Sequence, residues 1–182
     1  KGDAISLSAS IAKSYDNGID FSLAYAFTDA EDVNPMTSSV AFSNDKNYAT
    51  SDPLNPGLAT SNYVIPHRFT SNLTYRKDFF GDLTTTFSTL ATYNKGRPYS
   101  FVYGNNSEFE GGFSNSRQLF YVPTDANDPN VDLSGIADTN AFFSFLDENG
   151  LNDFAGEIAP RNAFNDDWWF KVDMRISQEI PG

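Results

Sequence analysis

The chain has 182 residues, a net charge of −12 at pH 7, no cysteine and a single histidine, His67. Disulfides and thiolate metal sites are excluded, and one imidazole argues against a multi-His metal centre or a Ser-His-Asp triad. The acidic balance argues against nucleic acid, which recruits basic surfaces. No stretch approaches 18 consecutive apolar residues, so no transmembrane helix is expected. Lys1-Gly2-Asp3 leads directly into a strand pattern with no signal peptide, which reads as an internal piece of a longer chain or a chain whose export signal was removed.

The first elements form a hairpin. Ile5, Leu7, Ala9 and Ile11 alternate with Ser6, Ser8 and Ser10, and Ile19, Phe21, Leu23, Tyr25 and Phe27 alternate with Asp20, Ser22, Ala24 and Ala26. Period-2 alternation predicts strands at about 3–13 and 19–29, and Asn17-Gly18 between them is the strongest short turn signal. Residues 30–65 then lose regularity. Asn34-Pro35, Asp52-Pro53 and Asn55-Pro56-Gly57 punctuate a long loop.

Alternation returns over 67–79 with Phe69, Leu73, Tyr75 and Phe79, followed by a tight turn at Phe80-Gly81-Asp82. The next strand carries Leu83, Phe87, Ala91 and Tyr93 on one face, and its parity resumes at Tyr99, Phe101 and Tyr103. Read as one strand over 83–103, it would span roughly 70 Å, although Gly96 and Pro98 can bend it. Residues 104–166 form a second long loop with one helix, about Thr139 to Asn149, capped by Asp138 or Thr139 and ended by Gly150. A last strand at 167–180 sets Trp168, Phe170, Val172, Met174 and Ile176 opposite Trp169, Lys171, Asp173, Arg175 and Ser177. Ile180-Pro181-Gly182 reads as the next turn.

Five strands joined short, long, short, long put both tight turns at one end of a meander and both long loops at the other. That is the layout of an outer-membrane barrel, with short periplasmic turns and long extracellular loops. The competing reading is a soluble or surface-attached β-sandwich, whose strands also alternate. Ser, Thr, Asn and Ala on the polar face suit a lumen better than a solvated surface. Phe79 and Phe80 at one end, and Tyr99, Phe101, Tyr103, Trp168 and Trp169 at the other, suit two interfacial girdles. Charge is segregated as well. Residues 30–65 sum to −3 and residues 104–166 to −9, so the strands and tight turns sum to zero. The reading is therefore all-β: an antiparallel up-and-down transmembrane β-barrel segment with two long extracellular loops, one holding a short helix. Five strands cannot close, so other segments would have to supply the rest.

The stretches IPHRFTSNLTYRKDFFGD, GRPYSFVYG, QLFYVP, APRNAF and WFKVDMRISQEIPG occur in that order. Together they resemble the C-terminal third of the barrel in Oar-like TonB-dependent receptors, over about residues 60–182. Pro66-His67-Arg68 looks like that family's strand start after an extracellular loop. Gly96-Arg97-Pro98-Tyr99 and Tyr121-Val122-Pro123 look like the flanks of its next long loop, and Arg161-Asn162 with Val172-Asp173-Met174-Arg175 like its approach to a late strand. The resemblance implies a barrel of about 22 strands with a plug domain, energised by TonB. It implies the rest of the barrel, the plug, the TonB complex and outer-membrane lipid or lipopolysaccharide as partners, and an integral place in the bacterial outer membrane. Such receptors import scarce nutrients, and Oar-like members are also linked with protein or peptide export. The expected function is ligand capture by extracellular loops and passage through a plugged barrel; the ligand, a small molecule or a peptide, is not specified. The alternative is a glycan-binding sandwich module using Trp168, Trp169 and the tyrosines.

No residue is expected to be catalytic, and no cofactor or metal is expected. His67 reads as a hydrogen-bonded residue at the start of a strand rather than a ligand, since no second imidazole can join it. Asp128, Asn130, Asp132 and Ser134 follow a D-x-N-x-D-x-S spacing that could wrap Ca²⁺, but Leu133 replaces the required glycine and Thr139 the terminal Glu. Gly104 and Gly111-Gly112 read as turn glycines. Asp166, Asp167 and Asp173 are paired more simply with neighbouring bases than with acid/base work. Phe142, Phe143, Phe145 and Leu146 read as a short helix folding its apolar face onto its own loop. The acidic loops should disfavour anionic solutes.

Overall fold

Asn17-Gly18 closes a tight turn between strand β1 (Ala4–Ser14) and strand β2 (Ile19–Asp32). The Asn17 side chain accepts from the Ile19 amide at 3.3 Å, and the Tyr15 amide donates to the Ile19 carbonyl at 2.8 Å. Gly18 has φ +84°, and a Cβ there would run into the Arg76 carbonyl, so both conformation and space demand glycine. In this computed structural model, residues 2–104 and 117–181 are described. The remaining strands are β3 (Ala59–Thr60), β4 (His67–Phe80), β5 (Leu83–Asn94), β6 (Pro98–Tyr99), β7 (Phe164–Asn165) and β8 (Trp169–Gln178). The helices are α1 (Ala41–Lys46) and α2 (Thr139–Glu148).

The chain divides into two units. One comprises residues 2–31, 62–98 and 165–182 and holds the main sheet, whose path is β1-β2-β4-β5-β8. Its strand pairs are antiparallel. The register puts Ala9, Tyr25, Phe69, Tyr93 and Phe170 in one cross-strand row, and Ile11, Leu23, Ser71, Ala91 and Val172 in the next. Because side chains alternate, one face is apolar and the other carries Ser, Thr and Asn. On the two outer strands the apolar face is uncovered: Ile5, Leu7, Ile11, Phe170, Met174 and Ile176 are each more than half exposed.

The second unit comprises the described residues of 32–61 and 99–164. Its core is Val122, Leu146, Leu151 and Ala159, all fully buried, with Phe101, Phe120, Phe142, Phe143, Phe154 and Phe164 packed around them. Asp138 caps α2 by accepting from the Ala141 amide at 3.0 Å. Gly150, at φ +70°, takes the left-handed turn that leads from α2 into a 3-10 turn at Leu151–Phe154. The segments around Val122 and Ala159 are tied by Val122 N to Glu157 O at 2.9 Å and Ala159 N to Phe120 O at 2.9 Å.

These features correct the barrel reading. The fold is mixed, with two open sheets (the main sheet and β6-β7) and short helices. Among the described residues, β1 and β8 end the main sheet as edges, so the strands enclose no lumen. The segments expected to be long extracellular loops, one of them with a short helix on it, instead build a unit with its own buried core. The assignment to an Oar-like TonB-dependent receptor is withdrawn with it. So are the transport function, the outer-membrane location, and the partnerships with a plug, TonB and lipopolysaccharide, which all rested on that barrel. No helix among the described residues is long and apolar enough to cross a membrane.

The extended strand over 83–103 also differs. β5 stops at Asn94, and Lys95–Arg97 separates it from β6. Gly96 lies so close to Asp166 that a Cβ would meet that residue's backbone carbon at 2.5 Å, and the Asp166 amide donates to the Arg97 carbonyl at 3.0 Å. Pro98, with no amide hydrogen, opens the next short strand.

Candidate functional site: an aromatic platform on the main sheet

Three neighbouring strands bring one aromatic each to the same row: Tyr25 from β2, Phe69 from β4 and Tyr93 from β5. The Tyr25 and Phe69 rings lie 4.8 Å apart, and Phe69 and Tyr93 6.3 Å apart. Trp168, just before β8, lies over this row. It stacks on Tyr93 at 4.7 Å with 20° between planes, and on His67 at 5.9 Å with 18°. Offset stacks of this kind contribute about 0.5–1.5 kcal/mol each beyond simple burial.

His67 is oriented by a hydrogen bond that its Nδ1 shares with the Tyr25 hydroxyl at 2.9 Å. Its ring also meets Phe27 at 5.5 Å. Tyr25, His67, Phe69, Tyr93 and Trp168 line an open hollow of about 560 Å³. Phe69, Tyr93 and Trp168 remain between 38% and 43% exposed, so the rings are held by one another yet present their faces outward. The chemistry available is stacking plus a polar edge. An aromatic face carries negative potential and attracts the weakly positive C–H face of a sugar ring, while His67 and Tyr25 supply hydrogen-bonding atoms.

The two tryptophans part company. Trp169 pairs with Asn94 on the row next to Tyr93–Phe170, so it belongs to the opposite face from Phe170. Among the tyrosines only Tyr25 and Tyr93 join the platform; Tyr99, Tyr103 and Tyr121 belong to the second unit.

The other sequence candidates are placed as follows. Asp128 Oδ2 accepts from the Thr124 amide (2.9 Å), the Tyr121 hydroxyl (3.0 Å) and the Thr124 hydroxyl (3.2 Å), and its Oδ1 accepts from the Asn130 amide (2.9 Å). The Thr124 and Asn130 amides lead these donors in holding its carboxyl at about 2, well below the usual range. Asp132 accepts from the Ser134 amide at 2.9 Å, and the Asn130 side chain donates to the Tyr121 hydroxyl at 3.0 Å. Asp128 and Asn130 thus meet on the Tyr121 hydroxyl, while Asp132 ties its own turn. Among the described residues no three His, Asp or Glu side chains gather.

Asp173 pairs with Lys171 at 2.7 Å. Asp166 is engaged through its backbone at Arg97. Leu146 is fully buried and Phe142 and Phe143 pack on the core, while Phe145 meets Phe101 edge-on at 5.9 Å. A Cβ at Gly104 would meet open space, and Gly111-Gly112 lie outside the described residues.

Sequence reasoning did not single out Arg161 as a site residue. Its Nη2 donates to the Asp32 carboxylate at 2.8 Å and to the Asp32 carbonyl at 2.5 Å, and its side chain is 5% exposed. Nothing in local spacing links residues so distant in sequence.

No protein-family model matches the chain, and neither a curated protein nor a solved structure matches it.

Proposed function

We propose that the chain is a binding module without chemistry of its own, which holds a neutral glycan on the platform of Tyr25, His67, Phe69, Tyr93 and Trp168. The observation that carries this reading is the stack of Trp168 on Tyr93 and His67, half-exposed and opening onto the hollow. A ring that only filled a core would be buried; these rings are ordered and accessible together. The platform's stacking faces would also accept a nucleobase, but a chain of net charge −12 repels the phosphates that accompany one. The same charge favours neutral over anionic glycans.

The test is a panel of immobilised neutral and acidic oligosaccharides, followed by titration of any hit. Trp168→Ala should weaken binding by about 2 kcal/mol, or roughly thirtyfold, the scale of a tryptophan at the centre of a binding surface. Trp169→Ala, one residue along but on the other face, should leave affinity within about threefold. Equal losses from both variants, or no binding to any member of the panel, would end this reading.

A further inference from the structure

The second unit holds a cavity of about 320 Å³ that plays no part in the platform. Tyr103, Phe120 and Phe142 line it, together with Leu133, Ile136 and Asp132. The three rings stand on backbone held by hydrogen bonds. Tyr103 and Phe120 flank the antiparallel bridge between Val102 and Leu119, where the Tyr103 amide donates to the Gln118 carbonyl at 3.0 Å and the Phe120 amide to the Phe101 carbonyl at 3.1 Å. Phe142 stands in α2, its amide donating to the Asp138 carbonyl at 3.1 Å. The Tyr103 and Phe120 rings lie 5.2 Å apart at 51°, and the Phe120 and Phe142 rings 6.5 Å apart at 72°. Rings tilted to one another in this way wall a corner rather than form a flat stack. Each of the three is half-buried, so each keeps accessible surface.

Aromatic walls accept an apolar group or a cation, and charge decides between them. Residues 104–166 sum to −9, a field that draws cations in. The two arginines of this stretch, Arg117 and Arg161, are each engaged by an aspartate, Asp45 at 3.8 Å and Asp32 at 2.8 Å, and neither lines the cavity. Asp132, on the wall, is kept ionised by the Ser134 hydroxyl and amide, which lower its carboxyl below the usual range. Among the described residues no base pairs with it. A bare metal ion is not matched, because it needs several oxygen ligands and among the described residues no three acidic side chains gather. A primary ammonium needs acceptors for three N–H groups, whereas Asp132 already accepts from the Ser134 amide and the Tyr121 hydroxyl is engaged by Asp128 and Asn130. A methylated ammonium needs no acceptor, and its methyl groups pack against rings. We propose that this cavity binds a small quaternary ammonium compound, its methylated head against Tyr103, Phe120 and Phe142 and its charge balanced by Asp132 on the same wall. This site is separate from the aromatic platform, and its fate does not depend on that reading.

The test is a titration of the ¹⁵N-labelled full chain with choline, following the amide signals of Val131, Leu133, Ile136 and Phe142. The comparators are the alcohol in which a tert-butyl group replaces choline's trimethylammonium, which keeps the shape without the charge, and ethanolamine, which keeps the charge without the methyl groups. Saturable shifts with choline are expected, with both comparators about tenfold weaker or more. Phe142→Leu keeps an apolar side chain on α2 while removing the ring, and should weaken choline binding about tenfold; Asp132→Asn should weaken it about threefold. The unliganded amide spectrum reports whether each variant stays folded, and the two comparators test the same claim on the unaltered chain. Trp168→Ala should leave choline binding unchanged. Absence of saturable shifts, equal binding of either comparator, unchanged binding in Phe142→Leu or Asp132→Asn, or choline shifts that centre on Phe69 and Tyr93 and vanish in Trp168→Ala would each overturn the proposal.

Discussion

Leu146 and Met174 are both apolar side chains on regular elements, yet the structure gives them opposite energetic weight. Leu146 is fully buried on α2 among Val122, Leu151 and Ala159. Met174 stands on β8 at 79% exposure. Leu146→Ala removes no helix propensity, since alanine is the best helix former, so its cost is packing alone. For a fully buried leucine that cost is about 2–5 kcal/mol, transfer and residual cavity together. Burying a methionine fully is worth about 1.5–3 kcal/mol, and a fifth of that leaves Met174→Ala near 0.5 kcal/mol.

At roughly 2–4 °C per kcal/mol for a chain of this size, Leu146→Ala should lower Tm by about 4–20 °C, and Met174→Ala by about 2 °C at most. Far-UV circular dichroism under heat or urea reports both changes. Tryptophan emission is a second probe, because Trp168 and Trp169 both sit in the main-sheet unit. A fluorescence transition that stays in place in Leu146→Ala while the dichroism transition moves would show the two units unfolding separately. The reasoning is refuted if Met174→Ala costs as much as Leu146→Ala. The apolar face of the sheet would then be covered in solution, and the exposure used to rank the two residues would not describe the working molecule.

Three further perturbations follow from single contacts. Asp138→Ala removes the cap of α2 and should cost about 1 kcal/mol, read as a lower Tm with reduced helical dichroism; an unchanged Tm would remove Asp138 from that role. Gly96→Ala drives a Cβ into the Asp166 backbone, with its carbonyl oxygen at 2.6 Å, and should cost about 1–3 kcal/mol by overpacking alone, because Gly96 has no left-handed φ to lose; a neutral result in urea denaturation would refute the close approach. Asp128 has a folded-state pKa depressed to about 2 against an ordinary value of 3.8, so its contribution to stability is complete above about pH 4 and disappears as pH falls through 2. Asp128→Asn should therefore be less stable than the parent at pH 6, with the gap narrowing between pH 4 and 2. A gap constant with pH would show that the carboxylate's charge is not what the Thr124 and Asn130 amides stabilise.

What the sequence discloses, and what it conceals, divides along the range of the forces involved. Alternation of Ile5, Leu7, Ala9 and Ile11 with serines is a local consequence of a two-residue repeat, and it is legible wherever one face of a strand leaves water. So is the capping of a helix by an aspartate one residue before it. The same alternation is silent on what meets the apolar face. A lipid-facing barrel, a sandwich and a sheet left open all write the same period, which is why a barrel could be read from residues that form an open sheet. Nor does alternation tell a bare loop from a folded one. Phe120, Phe154 and Phe164 lie scattered through a stretch without period, and only the fold gathers them around Leu146. Arg161 and Asp32 meet across more than half of the chain.

The platform is an intermediate case, and it shows where sequence reasoning can be extended. Trp168 and Trp169 form an obvious pair on paper, and strand geometry alone separates them onto opposite faces. The partner of Trp168 is set by register. β4 pairs with β5 so that Phe69 faces Tyr93, and β5 pairs with β8 so that Tyr93 faces Phe170, which leaves Trp168 just beyond the strand end to turn over the row. A one-residue slip in either pairing would send Tyr93 to the polar face and dissolve the stack. The platform therefore depends on features that look unrelated to it. One is the Gly81 turn between β4 and β5, at φ +68°, and another is the register shift between Asp78 and Phe80. Because those features fix the register, the aromatic row can stay half-exposed and still be ordered, which is the property a binding surface needs.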